Sequence, residues 1–395
     1  MRWAAAEGIS MFGTSVSSVA LPLVVYEATG SAAQTGALYA LRVVPYLLFG
    51  LVAGPVADRY DRRRLIIGGN MAEGLLVATI PVASVLGVLT VAQVYVVALL
   101  AATAFVFSDA AVFGAVPALV GPGRLAAANG FLASLGSGAE IAGPAIGGAL
   151  AALIGPTNVV WIDAGSFLAA AAVQSTIRSS FRTGAAPSSG STLRAHVRRG
   201  LSFIRHHRVV ATLLGVGFGN SFAFGAVLGL IVPFAVEQLG LADRDGRIGV
   251  LYSAGAVGSL ITGLVVGRLF RPERVVWIVP STIAVSAMAA AGLATSTAWA
   301  PAAALLVVFG WSVGITVVVG ITYRQLAAPD DLRSSVNVIG RMVAWGGQPF
   351  GAFTGALVAQ AVSVRAAYLV AVAVMVTSAV AAAVLLARRG PMTGD

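Results

Sequence analysis

The stretch GLVAGPVADRYDRRRLIIGG, residues 50–69, places a dense group of charges between two apolar segments. Six of the seven residues from Asp58 to Arg64 are charged. Apolar runs long enough to cross a bilayer lie on both sides, and the interior of a soluble domain does not tolerate such a cluster. The stretch therefore predicts a charged loop that joins two transmembrane helices.

The composition extends this interpretation to the whole chain. The 395 residues are 58% hydrophobic and 10% charged, with a mean hydropathy of +0.91, whereas a soluble protein carries about 25% charged residues. Apolar runs recur from end to end, which predicts many transmembrane helices. The sequence has no cysteine, which excludes disulfides and thiolate metal sites. No metal or other cofactor is expected.

Glycine, proline and charge clusters divide the chain into twelve predicted spans. The long polar stretch 179–206 is predicted to be a cytoplasmic linker between an N-terminal half, 1–178, and a C-terminal half, 207–395. The predicted spans are 6–27, 34–57, 65–87, 91–118, 125–153, 158–178, 207–238, 247–270, 274–295, 299–326, 333–361 and 365–387.

All 25 basic residues are arginine, and their distribution is one-sided. When the loops are assigned to alternate sides, twenty lie on the side of both termini and three on the other. Because cytoplasmic loops carry the excess of basic residues, both termini are predicted to be cytoplasmic, in a multi-pass cell membrane protein of bacterial type. The net charge of +10 is thus a topology signal and requires no nucleic-acid partner.

The two halves resemble each other: GLVAG at 50–54 ends the second span, GLVVG at 263–267 ends the eighth, and residues 128–148 align with 336–356. Tandem six-helix halves of like orientation are typical of transporters that bind substrate between the halves. We expect an all-α integral membrane protein with twelve transmembrane helices in two six-helix pseudo-repeat halves around a central cavity. The alignment places Asn129 on Asn337, Gly143 on Gly351, Gly147 on Gly355 and Glu140 on Gln348.

The charged loop also carries a family pattern. GPVADRYDRRR resembles the loop signature of the major facilitator superfamily, Gly-x-x-x-Asp-Arg-x-x-Arg-Arg. With GPAIGG in the fifth span and RLAAANG before it, the whole chain resembles the twelve-helix drug and natural-product exporters of that superfamily, nearest to macrolide and siderophore exporters. The positions that match the loop signature are Gly54, Asp58, Arg59, Arg62, Arg63 and Arg64.

The resemblance implies that this loop is a conformational latch. Asp58, at the cytoplasmic end of the second span, is placed to accept hydrogen bonds from a helix N-terminus or an arginine in the outward-facing state. Its expected partner is Arg124 or the start of the eleventh span near Arg333. For Arg62, Arg63 and Arg64 the alternative is a role as a cytoplasmic anchor.

The GPAIGG segment is similar to the antiporter signature of the superfamily's exporters, which favours export. Pro144 removes one backbone donor and is expected to bend the fifth span. Gly143, Gly147 and Gly148 allow a neighbouring helix to approach closely. The alternative is ordinary packing of small residues between helices.

Two carboxyl groups within predicted spans are candidates for proton coupling. Asp109 lies in the fourth span and Glu140 near the middle of the fifth. Burial away from water favours the neutral form of a carboxyl, so that such a group can bind and release protons. The alternative for each is a structural, hydrogen-bonded acid. Glu7 and Glu73 lie nearer the cytoplasmic surface, and we assign them hydrated structural roles.

Other polar and aromatic residues within spans are candidates for contact with substrate. Arg42 either pairs with Asp163 or Glu27 or attracts an anionic substrate. Arg341 either faces the cavity or extends to the cytoplasmic surface. The remaining candidates are Gln348, Asn220, Phe222 and, among other aromatic residues, Trp345.

The sequence as a whole predicts a secondary active transporter, with proton-coupled efflux of an amphipathic drug or natural product by alternating access. Lysophospholipid transport and import of a nutrient or siderophore are the alternatives. No catalytic Ser/His/Asp set and no nucleotide-binding glycine loop is present, so an enzyme is rejected and a proton gradient is the expected energy source. The expected partners are a small amphipathic substrate, protons and the lipid bilayer, and the protein is expected to be a monomer.

Overall fold

A computed structural model describes residues 2–120, 125–177, 193–329 and 332–387, although some side chains within these ranges, at helix ends above all, are not described. Over these ranges the chain is almost entirely helical and contains no β-strand. The helices are α1 Arg2–Thr29, α2 Ala32–Arg59, α3 Arg62–Val85, α4 Val91–Val120, α5 Leu125–Ile154, α6 Pro156–Ser175, α7 Leu193–His206, α8 Arg208–Gly229, α9 Ile231–Pro233, α10 Arg247–Leu269, α11 Val275–Thr295, α12 Trp299–Ala327, α13 Arg333–Ala361 and α14 Val364–Ala387.

The long helices lie at the positions of the predicted spans. Within the described residues, ten helices are long and apolar enough to cross a membrane. The other two predicted spans, the sixth and the eleventh, correspond to α6 and α13, which are helical over 20 and 29 residues. The architecture is therefore all-helical and consistent with twelve spans.

The seventh predicted span, 207–238, is interrupted near its C-terminal end. Helix α8 ends at Gly229, and Leu230 leaves the helical conformation with φ −111° and ψ 9°. After α9 the chain forms one π-helical turn, Phe234–Gln238. Pro233 has no backbone N–H to continue the regular hydrogen-bond ladder, which accounts for the irregular turn. The sequence pattern did not reveal this break, nor the helix α7 inside the predicted linker.

The chain forms two compact units. The first contains α1 to α6 together with Leu241–Ser253, and the second contains α7 to α9 and the chain from Ala254 onward. Two contacts explain why Leu241–Ser253 belongs to the first unit. Arg244 forms an ion pair with Glu27 of α1, and Gly249 lies directly against the backbone of α5 at Pro144.

The same helix pairing is found in each unit. In the first unit α1 packs on α5 and α6, and α3 packs on α4 and α6. In the second unit α8 packs on α13 and α14, and α11 packs on α12 and α14. In both units these are the first span against the fifth and sixth, and the third against the fourth and sixth. The two units therefore repeat one packing scheme.

Aligned glycines make the repeated contact between the first and fifth spans of each unit. A Cβ atom built at Gly147 of α5 would overlap the Val16 carbonyl oxygen of α1. A Cβ atom built at Gly351 of α13 would likewise overlap the Phe222 carbonyl oxygen of α8. Only glycine permits backbones to approach this closely, as in small-residue interfaces between membrane helices.

The charged stretch quoted at the outset forms the turn between α2 and α3. Asp61 is the N-cap of α3, since its side chain accepts a hydrogen bond of 3.0 Å from the backbone N–H of Arg64. The guanidinium of Arg63 donates a hydrogen bond of 2.5 Å to the carbonyl oxygen of Ser175, the last residue of α6. A cation at a helix C-terminus complements the helix dipole. Part of this charge cluster thus stabilises helix ends.

Candidate functional site

A polar stripe runs along α1 in the first unit. Glu7, Ser10, Thr14 and Ser17 follow each other at intervals of three or four residues, which places them on one face of the helix. This face is turned toward α3 and α6, because Ser10 contacts Asn70 of α3 and Thr14 contacts an acid of α6. The stripe forms one wall of a polar site inside the helical bundle.

A chain of hydrogen bonds connects α1, α6 and α3. The amide of Gln174, which is fully buried, donates to Glu7 Oε1 over 2.9 Å. Gln174 Oε1 in turn accepts a hydrogen bond of 3.1 Å from Asn70 Nδ2, and Asn70 Oδ1 accepts one of 3.4 Å from the Ser10 hydroxyl. Each amide both donates and accepts, so the chain fixes the orientation of the Glu7 carboxylate.

Two further carboxyl groups lie on α3 and α4. Glu73 is 4% exposed, and Oε1 accepts a hydrogen bond of 3.4 Å from the Ser108 hydroxyl. The adjacent residue, Asp109, is half-buried and accepts a short hydrogen bond from the Tyr46 hydroxyl of α2. The two acids therefore differ in their access to water: Glu73 is enclosed, whereas Asp109 is partly accessible.

Asp163 of α6 is the fourth carboxyl of the site. It is 4% exposed, and Thr14 donates a hydrogen bond of 3.3 Å to Oδ1. Arg42 of α2 lies close enough for electrostatic interaction with Asp163. Glu27, the other partner predicted for Arg42, instead binds Arg244 through two hydrogen bonds of 2.8 and 3.2 Å.

We call these four carboxyls, Glu7, Glu73, Asp109 and Asp163, the acidic network. Glu73 interacts electrostatically with each of the other three. Close helix packing brings them together, because Gly69 lies against Ser108. Arg42 is the cation that lies beside this network, near Asp163. Carboxylates that share a poorly hydrated region repel one another, so the network is suited to hold protons.

The predicted site residues of the first unit do not all belong to the acidic network. Asp109 does, but Glu140 is exposed on α5 and has no hydrogen bond in the described structure. Sequence reasoning assigned Glu7 and Glu73 merely structural roles and considered Asp163 only as a partner for Arg42. The available signal was the helical spacing of polar residues on α1 and α6.

The candidates of the second unit lie where α8 and α13 meet. Asn220 is buried in α8, and its Oδ1 has no hydrogen-bond partner among the described residues. Phe222 and Gln348 are half-buried, and the backbone of Gln348 lies directly against Gly225 of α8. Arg341 of α13 is exposed, and its guanidinium carbon lies 6.0 Å from the centre of the Trp345 ring.

The predicted latch lies largely outside the described residues. Arg124 is not described, nor are the side chains of Asp58 and Arg333. Of the remaining signature residues, Arg63 binds α6 as noted above, Gly54 has open space around its Cα, and Arg59 is exposed. Arg62 and Arg64 lie in the first turn of α3.

The glycines of GPAIGG face two different neighbours. Gly143 packs against Ser15, as Gly147 packs against Val16, and both of these neighbours belong to α1. Gly148 faces the other way, where a Cβ atom would come within 2.8 Å of Gly249 Cα. Pro144 lies inside α5, which continues through it to Ile154.

Asp245 and His207 lie outside the membrane-spanning helices and have shifted pKa values. Hydrogen bonds from Arg247 lower the pKa of Asp245, whose Oδ2 lies 2.5 Å from Arg247 Nη2. Burial lowers the pKa of His207, whose Nδ1 accepts a hydrogen bond of 3.3 Å from the Val210 N–H and caps α8. Within the described part of the chain, no group of three or more His, Asp or Glu side chains is arranged to hold a metal ion.

An all-helical bundle with many apolar spans and buried carboxyls inside them is the architecture of a multi-pass membrane protein. The model of the Major Facilitator Superfamily matches residues 4–343. The chain therefore belongs to this superfamily, and it is a multi-pass membrane transporter and not an enzyme.

Several similar proteins are named as efflux pumps. The multidrug efflux pump Tap of Mycolicibacterium fortuitum is 24% identical over 377 residues, which cover 90% of this chain and 88% of that protein. The Tap of Mycobacterium tuberculosis strain H37Rv is 34% identical over 173 residues, 41% of each chain. Macrolide efflux protein A of Streptococcus pyogenes is 22% identical over 279 residues, 71% of this chain and 68% of that protein. These relatives support the drug-exporter branch of the superfamily.

Solved transporter structures share the fold. A bacterial homologue of the human lysosomal transporter Spinster, in an inward-facing and occupied conformation, superposes with a TM-score of 0.80 at 13% identity, covering 98% of this chain and 96% of that one. The nucleoside transporter NupG superposes with a TM-score of 0.76 at 12% identity, covering 97% and 98%. At these identities the likeness concerns the fold alone.

Proposed function

We propose that this protein exports an amphipathic drug or natural product in exchange for protons, by alternating access. The observation that carries the proposal is the acidic network, in which four carboxyls from α1, α3, α4 and α6 interact inside one unit. The names of the relatives, multidrug and macrolide efflux pumps, support the cargo class.

The charge balance of the acidic network supports the role of protons. Four carboxylates beside one cation, Arg42, cannot all be ionised in a poorly hydrated interior, because unpaired buried charges are strongly disfavoured. Protons that neutralise the excess charge are exchangeable only if one member reaches water. Asp109 is the accessible member, and the Tyr46 hydroxyl holds it in position.

The remaining members have distinct roles in the proposed cycle. Glu73, in electrostatic contact with the other three, transmits a change in the charge of Asp109 to the rest of the network. The Gln174 and Asn70 amides keep Glu7 oriented toward the network while that charge changes. A proton gradient supplies the energy, and no bound cofactor takes part.

Gradient-driven transport in proteoliposomes tests this proposal. Proton movement is followed with an internal pH dye while erythromycin, ethidium, a hydroxamate siderophore or lysophosphatidylcholine is added. We expect at least one of the first three compounds to drive proton flux, and Asp109→Asn to abolish it. Glu273→Gln is the matched control, because Glu273 is exposed and lies before the first residue of α11.

Other outcomes contradict the proposal in different ways. Lysophosphatidylcholine movement without proton flux would favour a lipid transporter. Compound uptake along the proton gradient would favour an importer. Proton flux that persists in Asp109→Asn but is lost in Glu140→Gln would assign proton coupling to Glu140 of α5 and not to the acidic network.

A further inference from the structure

The second unit contains a cation within a membrane span that has no carboxylate partner among the described residues. Arg341 lies eight residues after Arg333, the first residue of α13, which corresponds to about 12 Å along the helix axis. Its side chain is exposed, and among the described residues it forms no ion pair with a carboxylate. A charged side chain at such a depth is costly unless it faces water or a partner.

The long helices of the second unit provide no acidic partner for Arg341, and the acid of its seventh predicted span, Glu237, lies in the π-helical turn Phe234–Gln238. Helices α8, α11, α12, α13 and α14 contain neither Asp nor Glu, and neither does α10 from Ala254 onward. Arg341 is therefore a cation whose natural counter-charge is absent from the surrounding helices.

A second arginine adds to the positive charge around Arg341. Arg324 of α12 is 4% exposed, and its Nε has no hydrogen-bond partner among the described residues. Its guanidinium packs on the backbone of α13 beside Arg341, since a Cβ atom built at Gly340 would lie 2.6 Å from Nε and 2.9 Å from Cζ. A buried cation behind an exposed one increases the attraction for an anion at the exposed position.

Trp345 supplies an aromatic surface next to the charge. The residue is 38% exposed, and it lies one turn along α13 from Arg341, on the same side of the helix. The 6.0 Å separation between Arg341 Cζ and the ring centre is a cation–π distance, which holds the guanidinium beside the ring. Gln348, a further turn along and half-buried, adds an amide.

We propose that Arg341 and Trp345 form a binding site for the anionic group of an amphipathic substrate, with a carboxylate on an aromatic or polycyclic body as the preferred ligand. The planar fork of a guanidinium binds a carboxylate through two parallel hydrogen bonds. The exposed part of the Trp345 ring accommodates the apolar body of the ligand. Arg324 contributes positive potential and does not contact the ligand. This inference rests on the proposed export function, since it names the substrate class.

Equilibrium binding with a matched pair of probes tests the site. Dansylaminohexanoate and dansylcadaverine share a fluorophore and a chain length but end in a carboxylate and an ammonium group. Both are titrated against the purified full chain in phosphatidylcholine nanodiscs, with protein-free nanodiscs as background. We expect the unmodified protein to bind the carboxylate probe more tightly than the ammonium probe. In Arg341→Gln, the affinity for the carboxylate probe should fall about tenfold, with little change for the ammonium probe.

Substitutions separate the roles of the Arg341 charge, the planar shape of its guanidinium and the Trp345 ring. Arg341→Lys should recover part of the affinity, because it keeps the charge and loses the fork. Trp345→Leu should weaken binding of both probes. Arg365→Gln and Trp277→Leu are the matched controls, since both residues are exposed on other helices of the unit, and neither should change binding.

Three results would overturn the inference. Equal affinity for the two probes would show that the site does not select an anion. Unchanged carboxylate binding in Arg341→Gln would leave Arg341 as a residue that reaches the membrane surface. In phosphatidylglycerol nanodiscs the carboxylate probe could fail to bind, while the unmodified protein retains this lipid and Arg341→Gln does not. That result would identify a lipid headgroup as the occupant of the site.

Failure of this site is distinguishable from failure of the proposed export function. Carboxylate-selective binding without proton-driven transport would leave the site intact and contradict export. Proton-driven export without any charge preference at Arg341 would leave export intact and contradict the site.

Discussion

The two units share a scaffold and differ in the charges that they place inside it. In each, the fifth span packs on the first through an aligned glycine, Gly147 in α5 and Gly351 in α13. The first unit then places the acidic network within its spans, whereas the long helices of the second contain arginine and no acid. The repeat thus preserves backbone contacts, while the side chains that carry chemistry have diverged.

Glu140 of α5 and Gln348 of α13 occupy aligned positions and illustrate this divergence. An amide and a carboxyl of the same size fit the same scaffold, but only the carboxyl exchanges protons. The two proposals together describe a division of labour, in which the acidic network of the first unit exchanges protons and Arg341 of the second recognises the charge of the cargo.

The largest expected effect concerns the acidic network. Asp109→Asn combined with Glu73→Gln should reduce substrate-driven proton flux to the level of protein-free liposomes, because the network then loses its accessible and its central member. Introducing a carboxyl at the aligned position of the second unit, Gln348→Glu, should not restore flux. Restoration by Gln348→Glu would break the proposed division of labour.

The next largest effect concerns the repeated glycine contact. Gly147→Ala and Gly351→Ala should each lower stability by about 1–3 kcal/mol, because the added methyl group overlaps a backbone carbonyl of the neighbouring helix. Thermal unfolding in detergent measures the effect. Gly138→Ala in α5 and Gly217→Ala in α8 are the controls, since a Cβ atom meets nothing within 4 Å at either position. Equal effects at test and control positions would show that the shared scaffold does not depend on these contacts.

A smaller effect is expected for the ion pair that joins Leu241–Ser253 to α1. Arg244 is 59% exposed, so its pair with Glu27 should contribute only about 0.2–1 kcal/mol. A double-mutant cycle with Glu27→Gln and Arg244→Gln at low and high salt measures it. A coupling energy that does not fall with added salt would contradict the description of an exposed, screened pair.

The smallest effect is a pH dependence in the second unit. The neutral Nδ1 of His207 caps α8, and burial holds its pKa below the ordinary value of 6.5. The stability that this cap contributes is therefore present above the unfolded-state pKa and is lost as the pH falls through the lower folded-state pKa. His207→Asn should keep a cap and remove the pH dependence, measured as the difference in melting temperature between neutral and acidic buffer. An unchanged pH dependence in this variant would exclude His207 as its source.

The sequence predicted the scaffold well, for a physical reason. Spans of apolar residues, the glycines of the repeat and the charged loop are local signals, and each has a direct counterpart in α1 to α14. The break at Leu230 and the helix α7 were missed, since neither carries a strong local pattern.

The acidic network was predicted only in part, because it depends on which helices are neighbours. Asp109 was recognised as an acid within a span, but its surroundings come from three other helices, α1, α2 and α3. Glu7 and Glu73 were judged by their depth in the membrane, whereas their role follows from the neighbours that Gln174 and Ser108 provide. The helical spacing of polar residues on α1 and α6 was the local sign of this arrangement.

The most direct test of the central claim is proton release on ligand binding. Purified protein in weakly buffered detergent solution is mixed with erythromycin or dansylaminohexanoate, and a pH-indicator dye records protons that leave the protein. We predict release from the unmodified chain and from Glu273→Gln, and none from the Asp109→Asn, Glu73→Gln variant, although that variant still binds the compound. The same release from that variant would contradict the claim that the acidic network holds the exchangeable proton.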